Sequence, residues 1–108
     1  MAESFVYITC ESMDQAEEIG AALVERRLAA CANILPGMRS VYWWQGRIER
    51  AEEAVLIAKT RDSLVEELTA AVKAMHAYEV PCVVAIPISG GNPDFLAWIR
   101  AETTGGDR

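Results

Sequence analysis

Three cysteines and one histidine, Cys10, Cys31, Cys82 and His76, hold most of the reactive chemistry of this chain. Thiolate and imidazole are the ligands that copper and other soft transition metals prefer. No two of the cysteines form a Cys-x-x-Cys pair, so the local sequence contains no ready-made metal motif. Cys10 ends an apolar run just ahead of a helix start, a place that favours a thiolate. With His76 it makes the first candidate metal pair. Cys31 and Cys82 lie in apolar runs and read first as small buried residues, with metal ligation as their second reading.

Cys10 and His76 are also a nucleophile and a base in principle. Nothing in the sequence marks a group to orient the histidine, and no Gly-x-Ser-x-Gly oxyanion motif is present. No catalytic residue is assigned and no enzymatic activity is expected. Glu52 and Glu53 are adjacent, so on a strand they point to opposite faces and read as a solvated edge. Gly90-Gly91-Asn92 is too short for a phosphate-binding loop and reads as a turn with a helix cap. A second candidate site is a cleft between subunits. Lys59, Tyr78, Glu79 and Trp98 all fall near element ends, and Trp44 on a hairpin completes the set. These residues suit a small ligand, and they suit equally the role of interface anchors.

The elements that must position these groups follow from periodicity. Residues 4–10 alternate as a strand, with Phe5, Tyr7 and Thr9 on one face and Val6, Ile8 and Cys10 on the other. Ser12/Gln15 or Asp14/Glu17 is a capping box for a helix running to about Arg27, with Ala16, Ile19, Ala22 and Leu23 buried. A second strand begins at Ala29, bends at Pro36-Gly37 and continues to Trp44. Gln45-Gly46 predicts a hairpin turn into a long strand from Arg47 to Lys59. A second helix starts near residues 61–63 and presents Leu64, Leu68, Ala71, Val72 and Met75. It ends before Pro81. Residues 83–88 form a last strand. Asn92-Pro93 starts a short helix presenting Phe95, Leu96, Trp98 and Ile99. This order predicts an α+β fold, the ferredoxin-like βαββαβ sandwich with a C-terminal helix. It forms a single domain over residues 1–102, followed by a loose tail over 103–108.

Alternation along the hairpin puts Val41 and Trp43 on one face and Tyr42 and Trp44 on the other. A chain of 108 residues has too small a core to bury both. Tyr42, Trp43 and Trp44 therefore predict an interface, with another copy of the chain as the expected partner. The net charge of −6 argues against nucleic-acid binding. No apolar run is long enough to cross a membrane. The start of the chain lacks the pattern of a signal peptide, and three unpaired cysteines fit a reducing compartment, so a cytoplasmic protein is expected.

Several motifs together resemble the CutA family of divalent-cation-tolerance proteins. They are Arg27-Leu-Ala-Ala-Cys-Ala-Asn-Ile-Leu-Pro-Gly37, Ser40-Val-Tyr-Trp-Trp-Gln-Gly46 and His76-Ala-Tyr-Glu-Val-Pro81, with Glu53 to Thr60 and Gly91-Asn92-Pro93. The resemblance covers roughly residues 4–102. It implies a ferredoxin-like homotrimer with a PII-like overall shape and a role in the response to metal ions. Weak binding of copper or another divalent cation is implied with it, and no required cofactor. Cys10 matches the strand-end cysteine that the family's proposed metal binding uses, Cys31 matches a second common cysteine, and His76 matches the histidine of the His-Pro-Tyr-Glu-Val-Pro motif. Ala77 stands where the family motif has proline, and Cys82 where many members have glutamate. The alternative roles are a PII-like module sensing a small ligand, and a trimeric scaffold.

Overall fold

The computed structural model describes residues 2–105. Four strands and three helices follow in the order β1 (Glu3–Cys10), α1 (Met13–Glu25), β2 (Cys31–Trp44), β3 (Arg47–Arg61), α2 (Val65–Met75), β4 (Val83–Pro87) and α3 (Pro93–Glu102). The sheet order is β2-β3-β1-β4, and every neighbouring pair is antiparallel. Helices α1 and α2 thus each link two strands that have a third between them, which is the expected split βαβ arrangement. No helix among the described residues is long and apolar enough to cross a membrane.

Alternation on β1 decides what lies inside. Val6, Ile8 and Cys10 are fully buried with Ala58, Leu56 and Ala54 of β3, their register partners. Ile19 and Leu23 of α1 and Leu68 and Val72 of α2 complete this core. Gly20 brings α1 close to the sheet. A Cβ there would stand 3.1 Å from Ala32 Cβ and 3.2 Å from Leu56 Cδ1.

Local signals set the element ends. The Ser12 side chain accepts from the Gln15 N–H to cap α1. That helix stops at Glu25, two residues earlier than expected, because Arg27 takes a left-handed φ of 60° and the Leu28 N–H returns to the Leu23 carbonyl. The second strand starts at Cys31 and not at Ala29, since Leu28 and Ala29 are buried in the connecting turn. A single 3₁₀ turn, Asp62–Leu64, precedes α2. The hairpin turn falls at Gln45-Gly46, where φ values of 50° and 80° give the doubly left-handed geometry that matches strand twist. Pro36-Gly37 interrupts the β2–β3 register between Leu35 and Met38, with Gly37 at φ 77°.

The pairing of β1 with β3 ends at Cys10–Ala54, whereas β2 and β3 remain paired out to Trp44–Arg47. Seven strand residues on each side therefore project about 20 Å past the rest of the sheet. Trp43 is 72% exposed there.

Helix α3 differs from its reading. Ile99 is buried, but Phe95 and Trp98 face outward and stack with ring centroids 5.5 Å apart. The helix is held by polar contacts: Arg100 Nη1 lies 2.8 Å from the buried Glu3 carboxylate, and Arg61 Nη2 donates to the Arg100 carbonyl. The tail expected to be loose is packed at its start. Thr103 is fully buried and accepts from Arg61 Nε, and the Gly105 N–H donates to the Arg27 carbonyl. Residues 106–108 lie outside the described residues.

The close approach at Gly20 has a measurable consequence. Gly20→Val should destabilise the protein by about 1–3 kcal/mol, because the added carbons must push α1 off the sheet. Gly90, whose Cβ would meet nothing within 4 Å, should accept alanine without loss. Urea unfolding of the two variants checks both.

Candidate functional site

A groove of about 960 Å³ lies on the side of the sheet away from α1 and α2. Three parts of the chain shape it: β1 through Tyr7 and Thr9, the hairpin through Met38, Tyr42 and Trp44, and the α2–β4 loop through Tyr78, Glu79 and Cys82. Glu53 also lines it. Met38 pairs with Glu53 across the bulged ladder, and both line the groove, as does Arg39, the register partner of Glu52.

The solvated-edge expectation is corrected for Glu53. Its neighbour Glu52 is exposed, but Glu53 is only 8% exposed. The Tyr78 hydroxyl donates to Glu53 Oε2 at 2.6 Å. The phenol is pushed above its ordinary value by burial first, then by the hydrogen bond to Glu53 and the nearby charges of Glu53, Tyr42 and Glu11. It therefore stays protonated and donating. Across the groove the Tyr7 hydroxyl donates to Met38 Sδ at 3.2 Å.

His76 is used structurally. Its Nε2 lies 2.7 Å from the Thr9 carbonyl, which can only accept, so Nε2 carries the ring proton. Nδ1 then accepts from the Tyr78 N–H at 3.0 Å. Both ring nitrogens are taken, and the ring fixes the loop that delivers Tyr78 to Glu53. Cys10 follows Thr9 in the chain, but its side chain points into the core and is fully buried. Burial, and secondarily the Glu53 charge, push its thiol up to about 11. The fold brings the His76 ring to the carbonyl of Thr9, next to Cys10, yet leaves neither side chain as a free donor. Cys31 and Cys82 are partly buried and unpaired. No group of three or more His, Cys, Asp or Glu among the described residues is arranged to hold a metal ion. The donor set does not fit a metal centre within one chain.

The five cleft residues divide. Trp44, Tyr78 and Glu79 line the groove. Lys59 pairs with Phe5 and Cys31 toward the other end of the sheet, where its ammonium donates to Asn33 Oδ1. Trp98 borders a separate hollow of about 250 Å³ with Val24, Arg27 and Glu102. Glu53, Tyr7 and Met38 were not assigned to a site from sequence. The available signal was their shared alternation with Tyr42 and Trp44 on the face that no helix covers.

With this geometry in place, the comparisons with known proteins are decisive. The family profile described as CutA1 divalent ion tolerance protein matches residues 4–102. The chain belongs to the CutA1 family. The divalent-cation tolerance protein CutA of Archaeoglobus fulgidus is 49% identical over 96 residues, covering 89% of this chain and 93% of that protein. The protein of the same name from Thermus thermophilus is 46% identical, covering 94% and 98%. The chloroplastic protein CutA 1 of rice is 45% identical over 91% of this chain, but the match spans only 55% of that protein. The chain thus spans about half the length of several curated relatives and nearly all of others. In three dimensions it superposes on the crystal structure of rice CutA1 with a TM-score of 0.92 at 43% identity, covering 95% of this chain and 94% of that one. The structure of the Archaeoglobus fulgidus periplasmic divalent cation tolerance protein gives 0.91 at 46% identity, covering 94% and 98%. The CutA1 fold is therefore α+β with a four-stranded antiparallel sheet and three helices, as its sequence implied.

The buried thiol predicts two behaviours. Cys10 should resist a thiol reagent at pH 8 until the protein is unfolded. The native state also holds the Cys10 proton more tightly than the unfolded state does. Its contribution to stability is thus complete below the ordinary thiol value of 9.0 and is lost as pH rises through about 11. Urea unfolding at pH 8 and pH 10 should show a loss that is smaller in Cys10→Ala.

Proposed function

We propose that this protein serves divalent-cation tolerance as a non-enzymatic, self-associating protein, a trimer of PII-like outline in the cytoplasm. The observation that carries this reading is the uncovered sheet face and its projecting hairpin. Leu35, Tyr42, Trp44, Val84 and Ile86 are all at least 39% exposed on that face, and Val41, Trp43 and Ile48 are exposed on the other side of the hairpin. So much apolar surface on a small chain signals an interface. A second copy presents the same surface, and closed symmetry covers it without leaving edges. The three free cysteines support a reducing compartment. The relatives named above bear the words chloroplastic and periplasmic, so the cytoplasmic placement rests on composition alone.

Light scattering on dilute protein should give three times 11.9 kDa. Trp43→Ala with Trp44→Ala should dissociate or aggregate it, since each ring is worth about 3–5 kcal/mol when buried. A clean monomer of the unmutated chain at micromolar concentration removes the reading.

In this proposal copper or another divalent cation is cargo, bound weakly by donors that remain accessible. Cys82 in the groove wall and Cys31 qualify, whereas Cys10 and His76 are already engaged. Copper titration should weaken in Cys82→Ser and stay unchanged in Cys10→Ser. The reverse result would restore the Cys10–His76 pair. A second reading, favoured by the volume and aromatic walls of the groove, is that the protein senses a small molecule there.

A further inference from the structure

Two separate surfaces of this chain need cover. The first is the groove, walled by Tyr7, Met38, Tyr42, Trp44 and Tyr78. The second is a row on the hairpin formed by Trp43, Ile48 and Arg50. Trp43 and Ile48 are register partners, and Arg50 follows Ile48 on the same face by alternation. All three are exposed, and none of them lines the groove.

The groove also contains an unfinished ion pair. Glu53 is only 8% exposed, and a carboxylate so buried is costly unless it is paired. Tyr78 donates to it, but neither salt bridge among the described residues involves it. Arg39 lines the groove as well. It forms no salt bridge with Glu53, and its register partner is Glu52. Glu79 shares the groove wall, and the charge of Glu11 is felt at Tyr78. Glu53, Glu79 and Glu11 thus outnumber Arg39, and the groove is short of positive charge. Arg50 has the missing sign. It makes no salt bridge among the described residues and stands beside the apolar pair that most needs cover. An arginine suits an aromatic-walled groove, since its guanidinium stacks on rings and pairs with a carboxylate through two hydrogen bonds.

Symmetry decides how copies can meet. A two-fold contact sets a patch against itself, so groove on groove would bring one Glu53 toward another and leave Trp43 in water. A head-to-tail contact places the row of one copy in the groove of the next, covers both surfaces at once, and repeats until the ring closes.

We propose that the hairpin of each copy lies in the groove of the next, where its Arg50 supplies the cation that Glu53 lacks. Each copy gives Arg50 to one neighbour and receives Arg50 from the other, so the groove is complete only in the ring. This rests on the self-association read above and adds the segment and the residue that fill the groove.

Subunit exchange tests the pairing. Isotope-labelled and unlabelled assemblies are mixed, and native mass spectrometry follows the formation of mixed ones. Arg50→Met keeps an apolar stem and removes the charge, and should speed exchange at least about tenfold. Glu53→Gln should also speed it. In the Glu53→Gln background, Arg50→Met should add no more than about twofold, because the pair it breaks is already gone. Arg39→Met should act by the same factor in both backgrounds. Circular dichroism checks that each variant is folded, and Arg50, exposed in the single chain, can be replaced without disturbing the core. A trimer whose exchange ignores Arg50→Met, or in which Arg50→Met and Glu53→Gln act additively, would overturn the pairing and leave self-association standing. Coupling of Glu53 to Arg39 in place of Arg50 would make Arg39 the counter-ion and overturn it too. A monomeric unmutated chain would remove the pairing and the self-association together.

Discussion

The structure depends on β3 pairing along its whole length. Its second half lies between β1 and β2, covered by helices on one side, and supplies Ala54, Leu56 and Ala58 to the core. Its first half pairs with β2 alone and has no helix behind it. One ladder, bulged at Pro36-Gly37, therefore joins a stable body to an exposed aromatic arm. The arm needs no core of its own, because its backbone hydrogen bonds are set by the strand that the body holds in register. Val41, Trp43 and Ile48 are left free to meet another surface.

The groove forms where these two regimes meet. Glu53 is the last β3 residue before the ladder with β1 begins at Ala54. A strand residue at such a position would normally be wet. It is dry here because the loop after α2 turns back over the sheet, fixed by His76 on the Thr9 carbonyl and closed by Tyr78 on Glu53. Ala77, in the place of the motif proline, lies in this loop and also lines the groove. His76 holds the same loop through the Thr9 carbonyl and the Tyr78 N–H.

Most of the architecture was legible in the sequence because its signals are local. The Ser12 and Asn92 caps, the Gln45-Gly46 turn and the alternation of Val6, Ile8 and Cys10 each depend on a few neighbouring residues. The same alternation already placed Cys10 with the core residues, a stronger indication than its nearness to a helix start. The site was harder to read. Burial of Glu53 depends on a loop that arrives 25 positions later in the chain. Lys59 and Trp98 were grouped with Tyr78 because all stand at element ends, but nearness to an end does not say which end of the sheet. Phe95 and Trp98 have the spacing of a buried stripe, yet α3 is secured by the ion pair of Arg100 with Glu3 and by Arg61, and needs only Ile99 inside.

The central place of β1 affects the order in which the molecule can assemble. Ile8 meets Leu56 on one side and Val83 on the other, and no strand pairs with β1 before β3 has been made. During synthesis the first strand to emerge is thus the one whose edges wait longest for neighbours. Its apolar residues must be shielded in the meantime by α1 alone, while the β2–β3 hairpin closes quickly from nearby segments. The nascent chain is consequently most prone to mispairing between copies at β1, the segment that the finished protein conceals best.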